Sequence, residues 1–192
     1  FSPRIPLLIR DPRRPARGRI DNVVRSIDLA PTLLELAGLT PPAGLDGVSL
    51  ASCLQRDADC PDLDAFNETG IWIADIPGLP ESHLRYPDLL ELMEVPDRER
   101  GTLAIKSEYD GVILAAKDRM IRQGRWKLVY QPLRDGHALR LHDLAADPAC
   151  RHDVSDAHPD VVAALWPRLR AFIGTLDDGE ETAPDQSGQN RQ

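Results

Sequence analysis

Arg119-Met120-Ile121-Arg122-Gln123-Gly124-Arg125-Trp126-Lys127-Leu128-Val129-Tyr130 is the stretch on which the fold of the second half of the chain turns. Gln123-Gly124 reads as a two-residue hairpin connection between two short strands. Beyond it Trp126, Leu128 and Tyr130 share one face, while Arg125, Lys127 and Val129 share the other. Upstream, Val112 to Ala116 is a short apolar run that reads as a further strand. Downstream, Asp135-Gly136 marks the next turn and Leu139-Arg140-Leu141-His142 the next strand. A small antiparallel sheet with one covered face follows from this pattern.

Its cover lies further along. From Pro159, residues Val162, Leu165, Trp166, Leu169, Phe172, Ile173 and Leu176 recur at helical spacing. Pro167 falls inside this pattern and predicts a kink or two shorter helices, because proline removes a backbone bond and crowds the preceding turn. After Leu176 no aromatic residue and no aliphatic residue larger than alanine follows. Residues 177–192 carry five acids against Arg191, and the composition predicts a disordered acidic tail in which Asp177-Asp178 is solvated charge and not a metal pair.

The first half is organised differently. Ile5-Pro6-Leu7-Leu8-Ile9 reads as a strand buried on both faces, although Pro6 cannot donate to a ladder. Ser26 to Gly38 reads as a helix. Asp28 is placed to cap it, Pro31 falls in its first turn, Leu29, Leu33, Leu36 and Ala37 share a face, and Gly38 ends it. Residues 39–69 are rich in Pro, Gly and Asp. There Cys53 and Cys60 bracket a polar segment whose spacing admits a small disulfide loop, two free thiols being the preferred reading. Gly70 to Ile76 alternates as a strand, and Pro77 to Gly101 is irregular.

The 192 residues, 42% hydrophobic and 28% charged, suffice for a packed core. No apolar run approaches the ~18 residues of a membrane span. A net charge of −8 argues against a protein that coats nucleic acid, although residues 1–25 alone carry seven Arg against two Asp. The chain opens at Phe1 with an apolar run before any turn, so it reads as cut within a domain.

Motifs for chemistry are sparse. The five histidines show no metal-ligand spacing, and the chain contains no Gly-x-Ser-x-Gly elbow, phosphate loop or dinucleotide fingerprint. Lys117, Arg119, Arg122, Arg125 and Lys127 place five cations within eleven residues, a density suited either to holding an anion or to blunting an edge hairpin with charge, the second being preferred.

Three stretches together resemble the C-terminal part of sulfatases of the alkaline phosphatase superfamily, the formylglycine-dependent type I enzymes. They are Arg4 to Ile9 with Val24 to Gly38 and Leu45 to Leu50; Ile121 to Tyr130; and Leu141-His142-Asp143-Leu144-Ala145-Ala146-Asp147-Pro148 leading through Asp153-Val154 to His158-Pro159-Asp160-Val161-Val162. The family usually has an aromatic at His142, an acid near Cys150 and Asn-Leu at Asp153-Val154.

The resemblance implies an α/β fold in which the last part of an alkaline-phosphatase-like sheet-and-helix domain is followed by a small antiparallel sheet packed on a C-terminal helix. Residues 1–55 would close the large catalytic domain. Residues 56–110 would form an irregular connecting segment with one strand, and residues 111–176 the small subdomain. The implied function is that of a hydrolase of sulfate esters, a sulfuric ester hydrolase acting on a small-molecule or saccharide sulfate ester. Calcium and formylglycine would serve the full-length enzyme, and this chain would bind neither. The Cys/Ser-x-Pro-x-Arg nucleophile motif is not found in the chain, and the family's metal-binding acids lie upstream of the matched region, so no catalytic or metal residue carries over. The missing N-terminal portion of the same enzyme is then the partner, and Leu7, Leu8, Leu33 and Leu36 would be exposed without it.

The residues placed to shape the rim of such a cleft are Glu68, His83, Arg85, Lys117 and Arg119. Two alternatives stand beside this reading. One is a phosphodiester or phosphonate monoester hydrolase of the same superfamily, and the other is a non-catalytic binding module that uses the basic hairpin.

Overall fold

A computed structural model describes residues 5–13, 18–54, 60–72, 76 and 78–177. The acidic tail lies outside them from residue 178 on. In chain order the elements are α1 (Leu29–Leu36), β1 (Ala65–Glu68), α2 (Leu89–Leu92), β2 (Met93–Asp97), β3 (Thr102–Ile105), α3 (Asp110–Ala115), β4 (Arg119–Gln123), β5 (Trp126–Leu133), β6 (Gly136–Asp143) and α4 (Pro159–Asp177).

Strands β1, β4, β5 and β6 form one antiparallel sheet in the order β1-β4-β5-β6. Its covered face is built as the alternation requires. Ile121, Leu128 and Leu141 line up with Leu165 and Leu169 of α4 in one buried cluster, flanked by Phe66, Trp126, Tyr130 and Trp166. Phe66 stacks on Phe172 with ring centroids 4.7 Å apart, and Tyr130 stacks on Trp166. Helix α4 is a single element of 19 residues that runs through Pro167, in place of the two shorter helices expected as one outcome.

Several local expectations are corrected. The first hairpin loop is Gly124-Arg125, because Gln123 pairs with Trp126; Gly124, at φ 51°, supplies the left-handed first position. The next loop is Arg134-Asp135, with Leu133 paired to Gly136. Val112 to Ala116 is not a strand but belongs to α3 and its C-terminal turn. Ile113 and Ala116, three apart, are its buried positions, and a short apolar run does not by itself distinguish the two periods. Among its described residues, segment 56–110 holds three strands where one was expected, and none of them is Gly70 to Ile76. Residues 70–72 and 76 lie in no strand, and 73–75 fall outside the described residues.

In the first half, Ile5 to Ile9 forms no strand, and Ile5, Leu7 and Leu8 stand in solvent. Leu33 is exposed and Leu36 half-buried. Asp28 does not cap α1 with its side chain. Its buried carboxylate instead accepts from Arg25 N (2.9 Å), Arg25 Nη2 (2.7 Å) and Val48 N (2.9 Å). One turn on, buried Thr32 donates to Asp28 O and accepts from Leu50 N at 2.8 Å. The start of α1 is thus stitched to residues 48–50, and Gly47 packs so closely that a Cβ there would meet Ile27 O at 2.0 Å. Cys53 and Cys60 are joined in a disulfide, against the preferred reading of free thiols; their Cα atoms lie 4.7 Å apart.

Candidate functional site

Four of the five rim residues gather at one end of the four-stranded sheet. Register pairs Glu68 of β1 with Arg119 of β4, which sets both side chains on the same face of the sheet as the pair Phe66 and Ile121. Lys117, two residues before Arg119, reaches the same place: its Nζ donates to Glu68 Oε1 at 2.5 Å. Arg119 is 3% exposed. Its Nη2 donates to Leu114 O at 2.8 Å and its Nη1 to Lys117 O at 3.4 Å, so the guanidinium closes the C-terminal turn of α3. Its Nε lies 3.7 Å from Glu68 Oε2, too far for a hydrogen bond, and both atoms are buried without one.

A second set of contacts centres on Asp118, a residue the sequence reading did not single out. Asp118 Oδ1 lies 2.7 Å from Nε2 of buried His83, and Oδ2 accepts from Gln131 Nε2 at 3.3 Å. The other His83 nitrogen, Nδ1, lies 2.5 Å from Leu84 O. Both ring nitrogens therefore face oxygen atoms. His83 also bridges Leu133 at the end of β5 and packs edge-on to Trp72. Thr69 N donates to Asp118 O, and Asp118 N donates to Thr69 Oγ1 at 3.0 Å. Asp118 thus ties the loop at His83 to the two strands that carry Glu68 and Arg119. Arg85, two residues beyond His83, is exposed.

The basic hairpin is neither a free anion cradle nor a charged edge. Strands β4 and β5 are interior, the sheet's edges being β1 and β6. Arg122 Nε donates to Gly124 O, Arg125 forms a two-pronged pair with Asp143, and Lys127 Nζ approaches Cys150 Sγ at 3.9 Å. The Arg125 guanidinium and the N–H groups of Ala145 and Ala146 hold the Asp143 carboxyl below the usual carboxylate range.

A family model described as N-sulphoglucosamine sulphohydrolase, C-terminal, matches residues 1–62. The chain is also similar to Arylsulfatase K of Bos taurus, 27% identical over 174 residues that make up 90% of this chain and 26% of the relative. The resemblance is to the C-terminal region of sulfatases. It spans about a quarter of the length of the curated relatives it matches. Among solved structures it is similar to a 2-O GAG sulfatase, 22% identical with a TM-score of 0.47 over 81% of this chain and 26% of that one. It is likewise similar to a phosphonate monoester hydrolase from Silicibacter pomeroyi, 22% identical with a TM-score of 0.45 over 76% of this chain and 24% of that one.

The sulfatase family implies a metal and a formylglycine in its full-length enzymes, and the donors of this region fit neither. Cys53 and Cys60 are bonded to each other, and Cys150 is followed by Arg151-His152 where the nucleophile motif needs proline at the second position. Among the described residues no group of three or more His, Cys, Asp or Glu side chains is placed to hold one ion. What these residues do offer is a charge network that fixes two partly buried groups, Glu68 and Lys117, at one end of the sheet.

Proposed function

We propose that the chain serves a sulfuric ester hydrolase whose calcium and formylglycine are supplied by an N-terminal portion of the same enzyme, the substrate being a small-molecule or saccharide sulfate ester. In this reading residues 1–55 close the catalytic domain, residues 56–110 connect, and residues 111–176 form a subdomain at the cleft rim. Glu68 and Lys117, paired with each other and partly exposed, are the rim groups that would meet a substrate. His83 and Arg119 stand behind them and hold their backbone, and Arg85 is an exposed group beside them.

The observation that carries this reading is the match to an arylsulfatase over 90% of the chain, through both the Asp28–Thr32 stitch and the small sheet. The test is turnover by the full-length enzyme of an aryl sulfate against an aryl phosphonate monoester. A kcat/KM at least tenfold higher on the sulfate supports it, and a preference for the phosphonate replaces it with the sister activity.

A further inference from the structure

Helix α4 covers the face of the four-stranded sheet that carries Phe66, Ile121, Leu128 and Leu141. The opposite face follows by parity along the same ladders. There Arg122 stands opposite Lys127 and Lys127 opposite His142, while Arg140 comes two residues before His142 and diagonally across from Lys127. Along β1, β4, β5 and β6 no position on this face is an acid. The acids at its boundary are engaged elsewhere. Asp118, at the far end, faces His83 and Gln131, and Asp153, near His142, accepts from the N–H groups of Leu141 and Ser155.

The cations on this face are also the ones without an acidic partner. Lys117, Arg119 and Arg125 are committed to Glu68, to two carbonyls and to Asp143. Arg122 donates Nε to Gly124 O at 3.3 Å and keeps both Nη groups, and Lys127 Nζ lies 3.9 Å from the thiol of Cys150. Among the described residues no carboxylate lies within ion-pair distance of Arg122, Lys127 or Arg140. All three are half-buried, which restricts where their charge can go. Like charges directly opposite each other destabilise a sheet, and Arg122 against Lys127 is such a pair. The hairpin alone makes no cradle. With Arg140 from the third strand, the face presents uncompensated cations across two inter-strand spacings, about 10 Å.

We infer that this face binds a saccharide chain bearing several sulfate groups, with Arg122, Lys127 and Arg140 each meeting a different group. The inference rests on the sulfate-ester reading above and adds to it a second place where a substrate chain is gripped, on the opposite face of the sheet from Glu68 and Arg119. Cations spread over three strands match charges spread along a chain, and guanidinium forks and an ammonium both suit sulfate oxygens. The face carries no Phe, Tyr or Trp on which an unpaired base could stack, which disfavours single-stranded nucleic acid as the occupant.

The test uses the full-length enzyme and a fully sulfated heparin-derived octasaccharide, with binding read by titration calorimetry. Lys127→Gln combined with Arg140→Gln is expected to raise the Kd about tenfold and to flatten its salt dependence, whereas Arg170→Gln, which removes an exposed cation of α4, should change the Kd less than about twofold. An unchanged Kd in the double variant overturns the inference. So does equally tight binding of a single-stranded DNA of the same charge, which would make the face a general polyanion surface, or of inorganic sulfate, which would make one free anion the occupant. In the unsubstituted enzyme the octasaccharide should protect Lys127 from acetylation, read by peptide mass spectrometry. A Lys127 that reacts equally with and without the octasaccharide, or in neither case because the catalytic portion covers it, overturns the inference without any variant. Unchanged binding by the double variant of an enzyme that hydrolyses sulfate esters removes this site alone; the expected loss of binding in an enzyme that does not hydrolyse them keeps the site and removes the sulfatase reading.

Discussion

Glu68 Oε2 and Arg119 Nε face each other at 3.7 Å across the β1–β4 pair, each buried and each without a hydrogen bond, while the remaining Arg119 nitrogens are committed to the carbonyls of Leu114 and Lys117. The guanidinium is therefore a strut between α3 and the sheet. Removing it strips the last turn of α3 of a charged donor and leaves Glu68 with Lys117 alone.

Arg119→Ala is accordingly expected to cost about 3 kcal/mol of stability, the range for breaking a buried pair from one side. Lys117→Ala, at a more open position, should cost about 1 kcal/mol or less while lowering kcat/KM for a charged sulfate ester roughly tenfold, about 1.4 kcal/mol. Denaturant midpoints and steady-state kinetics on the full-length enzyme separate the two. An Arg119→Ala enzyme with native stability and reduced kcat/KM would return Arg119 to the substrate.

Much of the small subdomain was legible because its physics is local. The parity of Trp126, Leu128 and Tyr130 and the helical spacing of Leu165 and Leu169 each specify a buried face, and those faces meet. Hairpin loops slipped by one residue because Gly marks the turn without saying which loop position it takes. Strand β1 was missed because Ala65-Phe66-Asn67-Glu68 is short and finds its partner at residues 119–122, far along the chain. Asp118 was missed for the same reason. An acid between two cations reads as surface charge, and only the return of the His83 loop makes it a hub. For Asp28 the residue was right and the role was not, since Arg25 and Val48 compete successfully for its oxygens.

That competition predicts a pH dependence. Burial alone would raise the Asp28 pKa, but the Arg25 guanidinium and the N–H groups of Val48 and Arg25 outweigh it and hold the carboxyl below its usual value. A depressed carboxylate contributes stability that is complete above the unfolded pKa, near pH 4, and is lost as pH falls through the folded value. Asp28→Asn should therefore lose about 2 kcal/mol at pH 7, with the gap to the parent narrowing below about pH 4. Urea melts at pH 7 and pH 3.5 check this, and a gap that does not change with pH would show that the charge is immaterial.

Gly47 is constrained by space, its φ lying outside the left-handed range. A Cβ at this position would sit 2.0 Å from the Ile27 carbonyl oxygen, and that oxygen is main chain, so it cannot swing aside. Gly47→Ala should cost about 2–3 kcal/mol by forcing the 47–50 segment off the start of α1, breaking the Val48 and Leu50 bonds to Asp28 and Thr32. A thermal melt matching the parent would mean that the two segments separate without loss. Gly38→Ala, at φ 76° with open space around it, tests backbone strain in isolation and should cost closer to 1 kcal/mol.

The Cys53–Cys60 bond closes an eight-residue loop just after the Asp28–Thr32 stitch, and Asn22 Nδ2 donates to Cys60 O at 2.9 Å across it. Restricting a loop of that size in the unfolded chain contributes roughly 2–3 kcal/mol on chain-entropy grounds. Cys53→Ser should therefore lower the denaturation midpoint by an amount of that order and leave Cys60 as a new reactive thiol, whereas Cys150→Ser should change neither. Peptide mass spectrometry without reduction supplies the direct check: a linked peptide carrying both Cys53 and Cys60 is expected, and recovery of both as free thiols under oxidising conditions would exclude the bond. Since Cys53 is buried and its partner half-exposed, reduction should proceed from the Cys60 side and be faster in Asn22→Ala, where the tether on Cys60 is gone.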